Sequence, residues 1–189
     1  MSQGKLIIFS APSGSGKTTL VHHLLPKSEL KLAFSVSATS REKRPNEEHG
    51  KDYYFLSADE FRKRISADEF LEWEEVYTDQ FYGTLRSEIN RIHSEGQTVV
   101  FDVDVVGGLN LKKEFGASAL AIFVQPPSIE ELERRLRNRS TESEESLAKR
   151  VAKSSEELEY ANQFDVVIIN DELEIAKAEA YNLVSDFTK

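Results

Sequence analysis

The chain has 189 residues, 39% of them hydrophobic, which suits one compact domain or a core domain with a small insertion. Its formal net charge of −9 argues against tight, sequence-independent binding of DNA or RNA, which needs a broad basic face. The sequence contains no cysteine and no apolar run long enough for a signal peptide or a membrane span, so we expect a cytoplasmic protein without disulfides or thiolate metal sites.

The first 26 residues predict a strand, a turn and a helix. Lys5–Ser10 is a short and nearly continuous apolar run, as expected of a strand buried on both faces. A turn rich in glycine and serine follows. The segment Thr18–Leu25 then carries apolar residues at helical spacing and stops near Pro26. A strand, a glycine turn and a helix in this order indicate an α/β fold.

Later segments continue the alternation of strands and helices. Three apolar runs are typical of buried strands: Thr98–Val103, Ala119–Val124 and Val166–Ile169. Four segments have helical patterns: Val105–Phe115, Ser128–Asn138, Glu142–Asn162 and Glu172–Phe187. This order predicts a parallel sheet flanked by helices and joined by right-handed crossovers.

A segment from about residue 35 to residue 81 breaks this alternation. It contains a polar stretch, Thr39–Lys51, and an alternating strand, Asp52–Leu56. The pentapeptide SADEF then occurs twice, starting at Ser57 and at Ser66, and each copy resembles the start of a helix. We therefore predict an inserted subdomain that can move against the core.

The loop from Ala11 to Thr18 reads APSGSGKT and lies between the first predicted strand and helix. Glycines allow backbone N–H groups to crowd around phosphate oxygens, and the helix N-terminus adds further donors. In such a loop Lys17 can bridge the β- and γ-phosphates of a nucleotide, and the Thr18 hydroxyl can bind the accompanying Mg²⁺. The alternative is a chance glycine–serine turn, which the strand–loop–helix context disfavours.

One position of this loop departs from the usual pattern, which begins with glycine. Here the residue is Ala11. Alanine adopts most ordinary backbone conformations, so the loop can keep its shape if this position is not left-handed.

Two groups of basic residues are candidates for further phosphate contacts. Arg41 and Arg44 lie three residues apart and can bind a phosphate through paired planar donors, although a solvated basic loop is an open alternative. A second group consists of Arg134, Arg135, Arg137, Arg139, Lys149 and Arg150. It indicates a mobile lid that closes arginines over a transferring phosphoryl group, and the alternative is ion pairing with neighbouring glutamates.

Nine segments together make the chain resemble the guanylate kinase family along essentially its whole length. In chain order they read APSGSGKTT, FSVSATSREKRP, GKDYYF, EFLEW, YGT, VFDVD, QPPS, RLRNRSTESEES and VVIINDEL. The resemblance implies a P-loop NTPase-type parallel sheet flanked by helices, an inserted small α+β acceptor-binding subdomain and an arginine-bearing lid. Its expected divisions are a core at about 1–34, 85–137 and 151–189, the insertion at about 35–84 and the lid at about 138–150.

The resemblance also implies a reaction and its participants. Family members transfer the γ-phosphate of ATP to GMP, which gives ADP and GDP, with Mg²⁺ as the cofactor. We therefore expect ATP and GMP as ligands, no nucleic acid, no membrane, and a monomer or a homodimer.

The resemblance also implies site residues, each assigned to the matching position of this sequence. The resemblance implies these catalytic residues: Lys17, Arg44, Arg139 and Arg150. It implies these contacts to ATP: Ser13, Gly14, Ser15, Gly16, Lys17, Thr18, Thr19 and Arg135, with Asn170 and Asp171 beside the adenine. It implies these contacts to GMP: Ser37, Arg41, Arg44, Tyr53, Glu72, Tyr82, Thr84, Asp102 and Asp104. Thr18 is the expected Mg²⁺ ligand, with Asp102 acting through water.

The chemistry of Glu72 agrees with a guanine site. The Watson–Crick edge of guanine offers two donors, and a carboxylate accepts both, whereas adenine would leave it unpaired. Such a site can discriminate between bases by about 10⁴-fold or more. Taken alone, Glu72 beside Trp73 is more typical of an exposed helix residue.

Asp102 and Asp104 alternate along a predicted strand, so we expect both to face one side near its C-terminal end, where α/β sheets bind ligands. The alternative is a strand end capped by acids. Neither has to act as a general base, because the second pKa of a phosphate monoester is about 6 and the acceptor is already ionised at neutral pH.

The remaining departures and alternatives are few. Val106 stands where the family commonly has glutamine, and Ser140 where glycine or asparagine is common. The four histidines, His22, His23, His49 and His93, have no convincing metal-ligand spacing and are interpreted as surface or structural residues.

Two alternative functions are disfavoured by the sequence. The intact phosphate loop argues against a peptide-binding module without catalysis. Ser37, Glu72 and Thr84 together argue against a kinase for another acceptor.

Overall fold

The computed structural model describes residues 4–139 and 144–189 of the chain. The chain forms two compact units. One consists of Met1–Leu32 with Val100–Lys189, and the other of Ala33–Val99. None of the helices in the described part of the chain has both the length and the apolar character needed to cross a membrane.

Strands and helices alternate through most of the described residues. The strands are β1 (Leu6–Ser10), β2 (Leu32–Phe34), β3 (Ala38–Thr39), β4 (Tyr54–Phe55), β5 (Phe70–Tyr77), β6 (Gln80–Leu85), β7 (Thr98–Val103), β8 (Ala119–Gln125) and β9 (Val166–Ile169). The α-helices are α1 (Lys17–Leu24), α2 (Ala58–Ser66), α3 (Arg86–Ser94), α4 (Val105–Phe115), α5 (Ile129–Arg139), α6 (Glu144–Leu158) and α7 (Leu173–Thr188).

The larger sheet has five strands in the order β2-β7-β1-β8-β9, and it is parallel and flanked by helices as predicted. Leu6 lies opposite Ala119 in the parallel pairing of β1 with β8. All of β1 is buried, because it lies inside the sheet and both faces are covered. Residues of β1, β8, α1 and α7 share one hydrophobic cluster, so the core fixes the strand ends that precede the loops.

The smaller sheet is mixed and has the order β4-β3-β6-β5. β3 pairs with β4 in parallel and with β6 antiparallel, and β5 pairs with β6 antiparallel. Helix α2 covers this sheet through Phe61, whose ring stacks on Phe70 at a centroid distance of 4.1 Å and on Phe81 at 5.2 Å. The unit has its own core as a result.

One of the two predicted helix starts is confirmed and the other was wrong. Ser57 caps α2 by accepting a hydrogen bond from the Glu60 backbone N–H at 3.1 Å. Ser66 instead ends the same helix. Asp68 is left-handed with φ 53°, and the Glu69 N–H bonds back to the Arg64 carbonyl, which is a Schellman helix stop.

A buried carboxylate that sequence reasoning missed holds the second unit together. Glu88 on α3 is 2% exposed. It accepts hydrogen bonds from the Val36 backbone N–H at 3.2 Å, the Tyr54 hydroxyl at 2.8 Å and the Arg91 guanidinium. Burial raises the pKa of Glu88, but the bonds from Arg91, Tyr54 and Val36 outweigh it and leave the pKa below its usual range.

We expect Glu88→Ala to lower the free energy of unfolding by about 2–4 kcal/mol, because buried donors lose their acceptor. Since the folded-state pKa is lowered, the part of this difference that comes from the charge of Glu88 is full above the ordinary carboxyl pKa and is lost as the pH falls through the lowered value. Urea unfolding across that pH range measures it. Glu95→Ala, which removes the exposed partner of Arg91, is the matched control. Equal stability of both variants at neutral pH would contradict this assignment.

Candidate active site

The predicted phosphate loop lies between β1 and α1, where it forms one wall of a cleft of about 530 Å³. The opposite side of this cleft comes from the end of β7 and from α6. A cleft at the carboxyl ends of parallel strands is where α/β folds bind ligands. The cleft therefore marks the candidate nucleotide site of the first unit.

The backbone of the loop requires its glycines. Gly14 has φ 92° and Gly16 has φ 89°, both in the left-handed region that other residues rarely adopt. Among the described residues, positive φ outside glycine occurs only at Lys31, Asp68 and Asp79. Ala11 is thus not left-handed. It is 7% exposed and belongs to the core cluster, so alanine in place of glycine is compatible with the loop.

Lys17, Thr18 and Asp102 form one polar cluster in the cleft. The Lys17 ammonium lies 2.7 Å from one oxygen of Asp102 and donates to the Val103 carbonyl at 2.5 Å. The Thr18 hydroxyl donates to the other Asp102 oxygen at 2.8 Å. The sequence placed these three residues in the site, and the structure brings them together at the end of β7.

Asp104 lines the same cleft but does not lie on the strand, which corrects the predicted alternation with Asp102. Strand β7 ends at Val103, and the Asp104 carboxylate accepts a hydrogen bond from the Gly107 N–H at 2.6 Å. It is the N-cap of α4. Asp104 therefore caps the start of α4 while it lines the cleft, and its predicted contact with GMP stays a prediction.

One face of α6 contributes charged residues to the cleft. The Arg150 guanidinium donates to the Ser13 hydroxyl at 2.6 Å, and Lys153 and Glu157 line the cleft beside it. Burial raises the pKa of Glu157, and the charge of Lys153 opposes this effect. Sequence reasoning missed Lys153 and Glu157, although the i, i+3, i+7 spacing from Arg150 places all three on one helical face.

Most other cations of the predicted lid are engaged with glutamates. Arg134 and Arg135 both bond Glu131 at 2.7 Å, which holds the pKa of that carboxyl at about 2. Arg137 pairs with Glu133 and Glu144, and Lys149 pairs with Glu145. Arg139 ends α5, and its side chain and residues 140–143, including Ser140, lie outside the described part. The predicted lid role of Arg139 stays a prediction.

Asn170 and Asp171 follow β9. The side-chain amide of Asn170 donates to the Ser15 backbone carbonyl at 2.8 Å. The Arg135 guanidinium donates to the backbone carbonyl of Asn170 at 3.0 Å. Asp171 is exposed. Three residues predicted for ATP, namely Ser15, Arg135 and Asn170, therefore lie in one chain of contacts.

In the second unit, Arg41 is held in place by a residue that sequence reasoning missed. Its guanidinium makes a two-pronged pair with Glu47 at 2.5 and 2.8 Å and lies over the Tyr53 ring at 5.2 Å. Tyr53 and Tyr82 are ring neighbours at 6.1 Å. The bond from Arg41 and that from the Arg44 backbone N–H keep the pKa of Glu47 at about 2. Arg44 itself is exposed.

Glu72 and Thr84 lie directly opposite each other on β5 and β6. The Thr84 hydroxyl is buried and donates to a Glu72 carboxylate oxygen at 2.7 Å. Glu72 lies on a strand, so the exposed-helix interpretation of its local sequence was wrong. Ser37 directly precedes β3, and its carbonyl accepts the Tyr54 N–H at 2.9 Å. A carboxylate oriented by a neighbouring hydroxyl is able to accept donors from a planar base.

The histidines add no metal centre among the residues that the structure describes. No group of three His, Cys, Asp or Glu side chains there could hold a metal ion. His49 has a structural contact, since its Nδ1 accepts a hydrogen bond from the Phe55 backbone N–H at 3.1 Å.

A parallel α/β sheet with a glycine-rich phosphate loop after its first strand, and a lysine at the cleft, defines a nucleotide-binding protein of the P-loop class. Comparison with known proteins narrows this class, because a family model described as guanylate kinase matches residues 3–186. The chain belongs to the guanylate kinase family, and the family reaction makes it an ATP:GMP phosphotransferase.

Individual relatives agree with this assignment. The chain is 57% identical to a guanylate kinase of Bacteroides fragilis over 98% of this chain and 90% of the relative, and 52% identical to one of Porphyromonas gingivalis over 97% of both chains. Among solved structures, the crystal structure of guanylate kinase from Anaplasma phagocytophilum superposes with a TM-score of 0.71 at 27% identity, covering 98% of this chain and 87% of that one. The resemblance found in the sequence is confirmed.

Proposed function

We propose that the protein transfers the γ-phosphate of ATP to GMP, with ATP held by the phosphate loop and GMP selected by Glu72. A phosphate loop alone accepts many nucleotides, so it does not identify the acceptor. The observation that carries the proposal is the carboxylate of Glu72, held at 2.7 Å by the Thr84 hydroxyl. It is an acceptor-only group that matches the two donors of guanine.

On the donor side, the loop N–H groups and Lys17 would bind the phosphates of ATP. Lys17 is already fixed by Asp102 and the Val103 carbonyl, so little side-chain freedom is lost when it meets a phosphate. Arg150 reaches the loop at Ser13 and would add positive charge where negative charge develops during transfer.

The residues at the loop also fit Mg²⁺. Mg²⁺ prefers oxygen ligands and commonly takes only one or two from the protein beside the phosphates. The Thr18 hydroxyl and an Asp102 carboxylate oxygen lie 2.8 Å apart in the cleft and would hold the ion, Thr18 directly and Asp102 through water. When bound, Mg²⁺ neutralises charge on the β- and γ-phosphates and orients them.

On the acceptor side, Arg41, Arg44 and Tyr53 would bind the phosphate of GMP. Glu47 orients the Arg41 guanidinium and Tyr53 supports it, so the planar donors are fixed in direction. The attacking phosphate oxygen is already ionised at neutral pH, since its second pKa is about 6. The reaction therefore needs positioning and charge neutralisation and does not need a general base.

The experiment uses ATP labelled in its γ-phosphate, with GMP and MgCl₂ present. We expect the label to appear in the β-phosphate of GDP, at a rate that depends on GMP, while free phosphate stays at the level of the enzyme-free control. Label found in free phosphate with or without GMP would show hydrolysis and overturn the proposed transfer.

A further inference from the structure

A buried amide behind the phosphate loop has a geometry that suggests a specific role. Asn170 is the first residue after β9 and is 4% exposed. Its backbone N–H donates to the Gln125 carbonyl at 2.7 Å at the end of β8. The backbone of Asn170 is thereby tied to the sheet, and its side chain is directed from a rigid position.

The side chain of Asn170 contacts the backbone of the loop. Its Nδ2 donates to the Ser15 carbonyl at 2.8 Å, across 155 positions of sequence. Among the described residues, those that line the cleft include Gly14, Gly16 and Lys17 but not Asn170. The amide therefore supports the loop from the side away from the cleft.

The contact between Asn170 and the Ser15 carbonyl leaves no room for a side chain at Gly16. A Cβ placed on Gly16 would collide with the Nδ2 atom of Asn170. Gly16 also has φ 89°, so both its conformation and its neighbour require glycine. Asn170 and the Ser15–Gly16 peptide are thus fitted to each other.

The orientation of this peptide group has a chemical consequence. In a planar trans peptide the carbonyl and the N–H point in opposite directions. Because Asn170 holds the Ser15 carbonyl on the side away from the cleft, the Gly16 N–H of the same peptide points toward the cleft. A backbone N–H fixed at a helix N-terminus is a donor for phosphate oxygens.

A second contact holds the backbone of Asn170. The Arg135 guanidinium on α5 donates to the Asn170 carbonyl at 3.0 Å and to Glu131 at 2.7 Å. Glu131 and Arg135 lie one turn apart on the same helix. Arg135 on α5 therefore holds Asn170, and Asn170 in turn holds the Ser15–Gly16 peptide of the loop.

We propose that Asn170 is a positioning residue of the donor site, which fixes the Ser15–Gly16 peptide so that the Gly16 N–H is presented to a phosphate. This inference rests on the proposed function, in which the loop binds ATP. It differs from a contact with adenine, because the effect of Asn170 reaches any ligand that carries the phosphate chain, whatever base is attached.

The test compares ligands with and without a base. ATP and inorganic tripolyphosphate, each with MgCl₂, are titrated by calorimetry into wild type, Asn170→Ala and Asn170→Ser, whose hydroxyl is too short to replace the amide. We expect each variant to lose about tenfold in affinity for both ligands by the same factor. Binding of GMP, measured by the same calorimetry, should stay unchanged, and urea unfolding of each variant shows that it is folded. Asn182→Ala, which removes an exposed asparagine on α7, is the control.

The outcomes separate this inference from the proposed function. A loss for ATP alone would place the effect of Asn170 on the base and overturn the inference, as would unchanged affinity for both ligands. A wild type that binds neither ATP nor tripolyphosphate would instead refute the ATP site. If Asn170→Ala fails to bind GMP as well, Asn170→Ser decides, because its smaller change keeps a polar group at the buried position.

Discussion

Lys17→Met is expected to lower turnover by at least about 10²–10³-fold while the protein still folds. The methionine keeps most of the unbranched side chain but loses the ammonium, which lies 2.7 Å from Asp102 in the cleft. Charge that develops on the transferring phosphoryl group would then lack its nearest fixed cation on the loop. Steady-state measurement of ADP formation with saturating ATP and GMP gives the change in turnover.

The control for Lys17 removes a lysine far from the chemistry. Lys113 on α4 is exposed, and Lys113→Met should keep wild-type turnover. Urea unfolding of both variants tests whether a loss of activity reflects a loss of fold. Wild-type turnover in a folded Lys17→Met protein would remove the phosphate loop from the mechanism.

Glu72→Gln is expected to lower kcat/KM for GMP by about a hundredfold or more, with the KM for ATP unchanged. The amide replaces one acceptor oxygen by a donor, so one guanine donor is left facing another donor. The same amide can donate to adenine, so the preference for GMP over AMP should fall further than kcat/KM for GMP alone. Kinetics with each nucleotide varied in turn measures both effects.

The matched control for Glu72 lies three residues earlier. The Glu69 carboxylate pairs with Arg64 at 3.3 Å, so Glu69→Gln should leave the kinetics with GMP unchanged. Calorimetric titration of GMP into both variants measures GMP binding separately from turnover. Unchanged GMP kinetics in Glu72→Gln would exclude this carboxylate from the acceptor site.

Strong local patterns predicted the larger sheet well. The strands Thr98–Val103 and Val166–Ile169 and the helix Val105–Phe115 have the bounds expected from sequence. Each is an uninterrupted apolar run or a periodic segment between clear stop signals, so local sequence decides the element. The phosphate loop was predictable for the same reason, because its function needs consecutive residues.

In the smaller unit, two identical stretches of sequence take different secondary structures, so local sequence did not predict them. The pentapeptide SADEF starts α2 at Ser57 and ends it at Ser66. The residues that follow differ, since helix-forming RKRIS follows the first copy and LEWEEVY, rich in strand formers, follows the second. The two phenylalanines of these copies, Phe61 and Phe70, then stack on each other in the core. The residues that follow each copy, and not the pentapeptide itself, therefore decide which copy begins a helix.

Contacts between distant residues escaped sequence reasoning altogether. Glu88 binds Val36 and Tyr54 at separations of 52 and 34 residues, and Asn170 binds Ser15 at 155. No periodicity links such positions, because only the folded chain brings them together. The family resemblance supplied Glu72 and Asn170 as site residues, but the hydrogen bonds that orient them were visible only in the structure.

The central claim is that the Glu72 carboxylate selects GMP as the acceptor, and a comparison of acceptor nucleotides tests it most directly. The measurement is the initial rate of ADP formation from ATP and MgCl₂, with GMP, AMP, CMP and UMP offered separately at equal concentration. We predict rapid ADP formation with GMP and a rate about 10⁴-fold or more lower with AMP, because adenine leaves the Glu72 carboxylate unpaired. Comparable rates with GMP and AMP, or a higher rate with CMP or UMP, would contradict the account.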